Sequence, residues 1–164
     1  MNGESGGDGG LWEWAVAAYA RPGAKNALLE LQHGAGADVV LILWRLWLAE
    51  RGRRPTADAL HEAIALSGDW RAGVVAPLRA ARGALKTPID HVDETGAATL
   101  RRRVLEVELA AEKLQLEALA GLDTRPDPAS GAPPSVAAAL AEIPPFDADR
   151  GIDLSTLSKA LTTR

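Results

Sequence analysis

The segment from Val39 to Ala49, VVLILWRLWLA, places ten apolar residues around one charge, Arg45. A membrane span needs about 20 consecutive apolar residues, and the uncharged run here stops at Trp44. The segment is too short to cross a bilayer. As a helix it would carry Val40, Trp44 and Trp47 on one side, Val39, Leu43 and Leu46 on another, and Leu41, Ile42, Leu48 and Ala49 beside Arg45. A helix apolar all round belongs at the centre of a bundle, or hides its outer face under a partner. Its guanidinium must then be paired or must snorkel, because an uncompensated buried charge costs several kcal/mol. Asp38, Glu13 and Asp69 are the candidate mates.

The flanking sequence supplies helices to surround it. LWEWAVAAYA carries Leu11, Trp12, Ala15, Val16 and Tyr19 on one side and is broken by RPG at residues 21–23. From Ala24 to His33, Ala24, Leu28 and Leu31 line up, and Asp38 is a good N-cap for the central helix. Pro55 and Thr56 introduce a fourth helix that Ser67 and Gly68 should end. Asp69 should cap a fifth, in which Trp70, Val74, Leu78, Ala81 and Leu85 keep helical spacing across Pro77, a residue expected to kink or restart it. A long sixth runs to about Leu122, with Leu100, Val104, Val107, Ala111 and Leu114 at spacings of four, three, four and three.

Beyond Leu122 prolines accumulate around a short helical piece at SVAAALAEI and a last amphipathic one at DLSTLSKAL. No stretch shows strand alternation. The expected architecture is all-α: a flexible leader over residues 1–10, a single bundle of about six helices over 11–122, and a loosely attached, Pro-rich, partly helical tail over 123–164.

Composition removes several function classes. The absence of cysteine excludes disulfide and thiolate chemistry and makes a reducing cytoplasm the expected compartment. The start, MNGESGGDGG, has no basic and apolar regions of a secretion signal. Basic and acidic residues number 2 and 5 over 1–44, 11 and 7 over 45–103, and 5 and 10 over 104–164. A moderately basic middle between acidic ends argues against nucleic acid as a partner, yet permits a local basic face. His33, His61 and His91 share no metal-ligand spacing, DHVDE at residues 90–94 is a weak cation motif, and no nucleophile elbow or phosphate loop occurs. No cofactor and no metal are expected.

LWEW at 11–14, YARPG at 19–23, LQ at 31–32, DV at 38–39, VVAPLRAARGALK at 74–86 and LRRRVLEVELAAEKLQLEAL at 100–119 together resemble a proteobacterial family of small cytoplasmic helical proteins known only as a domain of unknown function. The resemblance implies a helical fold over most of residues 11–122 and leaves the tail outside. Where that family tends to have asparagine after Asp-Val this chain has Val40, and where an acid often follows Leu-Gln it has His33. No activity attaches to the family, so no catalytic residue is carried over.

Three groups of residues remain as candidates for function. Trp14, Trp44 and Trp47 would line a flat pocket or an interface, with Trp14 and Trp47 the better placed for the surface and Trp12, Trp44 and Trp70 expected in the core. Arg45 would anchor a carboxylate or form a structural ion pair. Arg71, Arg79, Arg82 and Lys86 fall in one arc of a helix that continues through Pro77, either gripping an acidic partner or pairing with Glu108 and Glu112. RRR at 101–103 sits near a helix N-terminus, the unfavourable end for cations, and so calls for partner acids. The leading expectation is a non-enzymatic module that binds an unknown protein partner or forms a homo-oligomer, through the aromatic face and the basic stripe. The alternative is a binding protein for a small aromatic or acyl carboxylate, with tryptophan walls and Arg45 as anchor.

Overall fold

The computed structural model describes residues 10–127, 135–146 and 151–162. The expected leader lies almost entirely outside them. Helices α1 (Leu11–Tyr19), α2 (Ala24–Gly34), α3 (Val39–Glu50), α4 (Ala57–Trp70), α5 (Ala76–Ala84) and α6 (Glu94–Ala120) are followed by α7 (Val136–Leu140) and α8 (Ser155–Thr162). The fold is an all-α bundle. Its centre is α3, which packs against α1, α2, α4, α6 and α7 and buries all but three of its twelve residues.

Local chemistry sets the helix starts. Asp38 Oδ1 accepts from the amides of Val40 (2.9 Å) and Leu41 (3.1 Å), and Thr56 Oγ1 accepts from Ala59 N at 3.2 Å. In YARPG, Gly23 precedes α2 at φ +83°, a left-handed conformation that a side chain would strain.

Four features depart from the sequence expectations. Helix α4 runs through Ser67 and Gly68 to Trp70, with Ser67 buried and Asp69 inside the helix, where it was expected to cap a new one. A π turn, Arg71–Val75, then leads into α5, with the Ala76 amide reaching back to the carbonyl of Arg71. Pro77 has no amide to donate and its ring crowds the preceding turn, so the wider π turn lets the rod continue where a kink or restart was expected. Secondly, Arg53–Pro55 (β1) and Thr124–Pro126 (β2) form a short antiparallel ladder, with Arg54 opposite Arg125. Three residues per strand are too few for alternation to show.

Thirdly, the tail is docked. Helix α7 packs on α3 and α8 on α2, Leu140, Ile143 and Leu157 are almost fully buried, and Arg21 Nη1 donates to the Leu161 carbonyl at 2.7 Å. Each of those apolar side chains stabilises the docked state by about 1.5–3 kcal/mol relative to exposure. The outer face of α3 that needed a cover is covered by the chain itself.

Finally, α6 turns a different face inward. Its buried residues are Glu108, Ala111, Gln115, Leu116 and Leu119, while Leu100, Val107 and Leu114 of the expected apolar stripe are exposed, as is Val16 on α1. Helix α5 buries no residue, and neither does α6 before Glu108. The two pack on each other as an antiparallel arm.

Candidate functional site

Arg45 lies in the core, 3% exposed, with Nη2 3.5 Å from Glu142 Oε2. The other carboxylate oxygen of Glu142 takes Arg54 Nη2 at 2.7 Å, so one acid bridges two guanidiniums. None of the expected mates, Asp38, Glu13 or Asp69, is paired with Arg45 among the described residues. Asp38 is occupied by capping, and the acid that reaches Arg45 comes from the tail. Burial pulls the Arg45 guanidinium below the ordinary arginine range; Glu142 opposes that shift and Arg54 adds to it. Nε and Nη1 of Arg45 are buried without a hydrogen-bond acceptor.

A second ionic cluster joins the arm to the bundle. Arg79 donates from Nε to Glu108 at 2.9 Å and from Nη2 to Glu112 at 2.5 Å, and Arg82 donates from Nε to the other oxygen of Glu108 at 2.6 Å. These are the acids the helical arc pointed to. Burial pushes the Glu108 carboxyl up, but the hydrogen bonds from Arg82 and Arg79 outweigh it and hold it below the usual glutamate value. For Glu112 burial prevails over Arg79, aided by the charges of Glu108 and Asp38, and its pKa is raised. The Arg79 guanidinium is destabilised by burial, yet its two carboxylates raise it overall.

Beside this cluster, Gln32, Asp38, Arg71, Arg79, Glu112 and Gln115 edge a cleft at the start of α3. Its space of about 10 Å³ is of the order needed for one water. Arg71 Nη1 donates to the Gly36 carbonyl at 3.0 Å, and Gln115 Nε2 lies 3.5 Å from Asp38 Oδ2. The cleft is a polar seam between α2, α3 and α6 and has no room for an organic ligand.

The tryptophans are not gathered into a pocket. Trp44 is fully buried at the centre of the core. Trp14, half-buried, donates from Nε1 to Glu50 at 2.8 Å, and the Arg51 guanidinium sits 4.6 Å from the ring centroid of half-buried Trp47. Trp70 donates to the Ala111 carbonyl at 3.0 Å. Lys86 is exposed at the end of the arm, edging a cleft of about 280 Å³ with Ile89, Val92, Ala97 and Arg101. Of the eight predicted site residues, only Arg71 and Arg79 share a cleft.

What sequence reasoning missed is the surface of the arm. Among the described residues, the large apolar side chains left exposed are Val16 and then Ile89, Val92, Leu100, Leu105, Val107, Leu109 and Leu114, all seven of the latter on the arm or along α6. Leu100, Val107 and Leu114 recur every seven residues and are 50%, 53% and 56% exposed. Arg101, Arg102 and Arg103 beside them have no ion pair among the described residues, and the Nε of Arg101 is buried without an acceptor. The four-three spacing was the available signal, and it marked a seam facing out.

No group of three or more His, Asp or Glu side chains among the described residues is arranged to hold a metal, and no described helix is long and apolar enough to cross a membrane. In comparison with known families, residues 10–119 match the family described as protein of unknown function (DUF2390). The chain belongs to that family. No curated protein and no solved structure matches it. The DUF2390 match spans the central helix, the ionic cluster and the whole arm. It stops short of Glu142, so the acid that neutralises Arg45 lies outside the matched segment.

Proposed function

We propose that this DUF2390 protein is a non-enzymatic assembly module of the cytoplasm that binds another polypeptide through the α5–α6 arm. The observation carrying this reading is the exposed seam of Leu100, Val107 and Leu114, bordered by Arg101, Arg102 and Arg103, which have no ion pair among the described residues. Soluble monomers rarely leave such apolar residues contiguous without a use for them. An aromatic face at Trp14 and Trp47 and a basic stripe at Arg71, Arg79, Arg82 and Lys86 are less available. Glu50 and Arg51 engage the two rings, Gly36, Glu108 and Glu112 engage the three arginines, and Lys86 alone of the stripe projects from the arm.

The reading of Arg45 as anchor for a small carboxylate draws on its two unsatisfied nitrogens. Glu142 already supplies a carboxylate there, which favours a structural pair. The test is co-purification from extract of the tagged full chain beside a Leu100→Asp, Val107→Asp, Leu114→Asp variant. A polypeptide held in stoichiometric amount by the parent and lost by the variant is expected. Equal retention by both, or none by the parent together with a monomeric parent, overturns the proposal.

A further inference from the structure

We propose that the polypeptide bound by the arm is a second copy of this chain, paired through α6 in an antiparallel, two-fold symmetric contact. The inference rests on the reading of the arm as an assembly surface and names its partner.

Three observations carry it. The first is the spacing of the seam. Leu100, Val107 and Leu114 are equally spaced and similarly exposed, so a two-fold axis at Val107 lays Leu100 of one copy on Leu114 of the other and Val107 on itself. An isologous interface requires that self-complementarity. Of the residues that interleave with these at four-three spacing, Ala118 is exposed and adds a small neighbour to the seam, while Ala111 is buried in its own chain.

The second observation is charge. From Glu94 to Leu105, α6 carries one acid and three arginines, a charge of +2. From Glu106 to Ala120 it carries four acids and one lysine; Glu108 and Glu112 are taken up by Arg79 and Arg82, which leaves Glu106, Glu117 and Lys113, a charge of −1. Parallel packing of two α6 helices would set like charge against like. Antiparallel packing sets the arginine-rich half of each copy over the acidic half of the other, and it answers the lack of acids around Arg101–Arg103.

The third is size. A helix of 27 residues is about 40 Å long at 1.5 Å per residue. With flanking side chains a face about 15–20 Å wide offers roughly 600–800 Å² per copy, close to the usual figure of about 800 Å² for a stable interface. Helix α6 before Glu108 has no fully buried residue, and Leu100 and Val107 stand exposed on it, so that face can pair while the helix keeps its packing on α5.

The absence of cysteine makes disulfide trapping a clean experiment. In the purified full chain, sedimentation equilibrium should give twice the chain mass of 17.2 kDa, and Val107→Asp should halve it without changing the helical circular dichroism or the melting profile of the dissociated fold. Under mild oxidation Val107→Cys should crosslink to itself. Leu100→Cys should not, since two copies of that position would stand about 21 Å apart along the antiparallel pair, whereas a mixture of Leu100→Cys and Leu114→Cys should crosslink.

A monomeric parent, a Val107→Asp variant that stays dimeric, or self-crosslinking of Leu100→Cys as efficient as that of Val107→Cys overturns the inference. A monomeric parent that still retains a different polypeptide through the seam overturns self-pairing alone. A monomer that retains none overturns the assembly reading as well.

Discussion

Replacing Arg45 with methionine should stabilise the protein or leave its stability unchanged. The guanidinium is 3% exposed, its one ion-pair contact is 3.5 Å long, and two of its nitrogens have no acceptor. Substituting a buried ionic group by an apolar one of similar volume is neutral to stabilising by about 1–4 kcal/mol, and each buried donor left unsatisfied costs about 1–3 kcal/mol. Glu142 would not be stranded, because Arg54 holds its other oxygen at 2.7 Å and its side chain is 36% exposed. We therefore expect Arg45→Met to gain about 1–2 kcal/mol, a rise in Tm of roughly 3–6 °C for a chain of this length. Glu142→Ala should lose about 2–3 kcal/mol, since it removes the carboxylate paired with the buried Arg45 guanidinium, and the loss should vanish in the Arg45→Met background. Urea denaturation of the four proteins forms the cycle. A loss above about 1 kcal/mol for Arg45→Met, or an undiminished Glu142→Ala effect in the double variant, would refute the view that the Arg45–Glu142 pair adds no net stability.

Two further perturbations test the supports of the bundle. Glu112, held above its ordinary value by burial, binds its proton more readily folded than unfolded, so stability should rise slightly as pH falls from neutral through its raised folded value. Glu108 has the opposite sign: its folded pKa is depressed, and its contribution, present above the unfolded value of about 4.3, is lost as pH falls through the folded one. Urea titrations at a series of pH values should show a shallow maximum in mild acid, and Glu112→Gln should abolish the rise and spare the acid-side loss. Asp38→Ala removes a cap that accepts from two amides at the start of α3 and should cost about 1–2 kcal/mol, measured by thermal melting; Asp38→Asn should recover more than half.

The starts of α3 and α4 were legible in the sequence because they depend on neighbours two or three residues away: Asp38 and Thr56 cap their own helices. The central place of α3 followed from an apolar surface with no solvent side. Pairing of Arg79 and Arg82 with Glu108 and Glu112 was legible because both sets repeat at helical spacing. The inward face of α6 was not. Its four-three apolar pattern competes with a charged face, and the arginines of α5 draw Glu108 inward to a position 4% exposed, which rotates Leu100, Val107 and Leu114 outward. Glu142 was equally hidden, since one acid between Leu140 and Ile143 gives no sign of a contact 97 residues away. The π turn arose from a steric demand of Pro77 for which either a kink or a restart would have been as good an answer from spacing alone.

Amide hydrogen exchange along α6 in the purified chain tests the central claim most directly. No residue of 94–107 is fully buried in its own chain, so without a partner their amides should open at little cost and exchange quickly. With a second copy seated on the Leu100, Val107 and Leu114 seam, they should exchange slowly in the parent protein and at least tenfold faster in Val107→Asp, while α3 remains protected in both. Fast exchange over 94–107 in the parent, indistinguishable from that of Val107→Asp, would contradict the account.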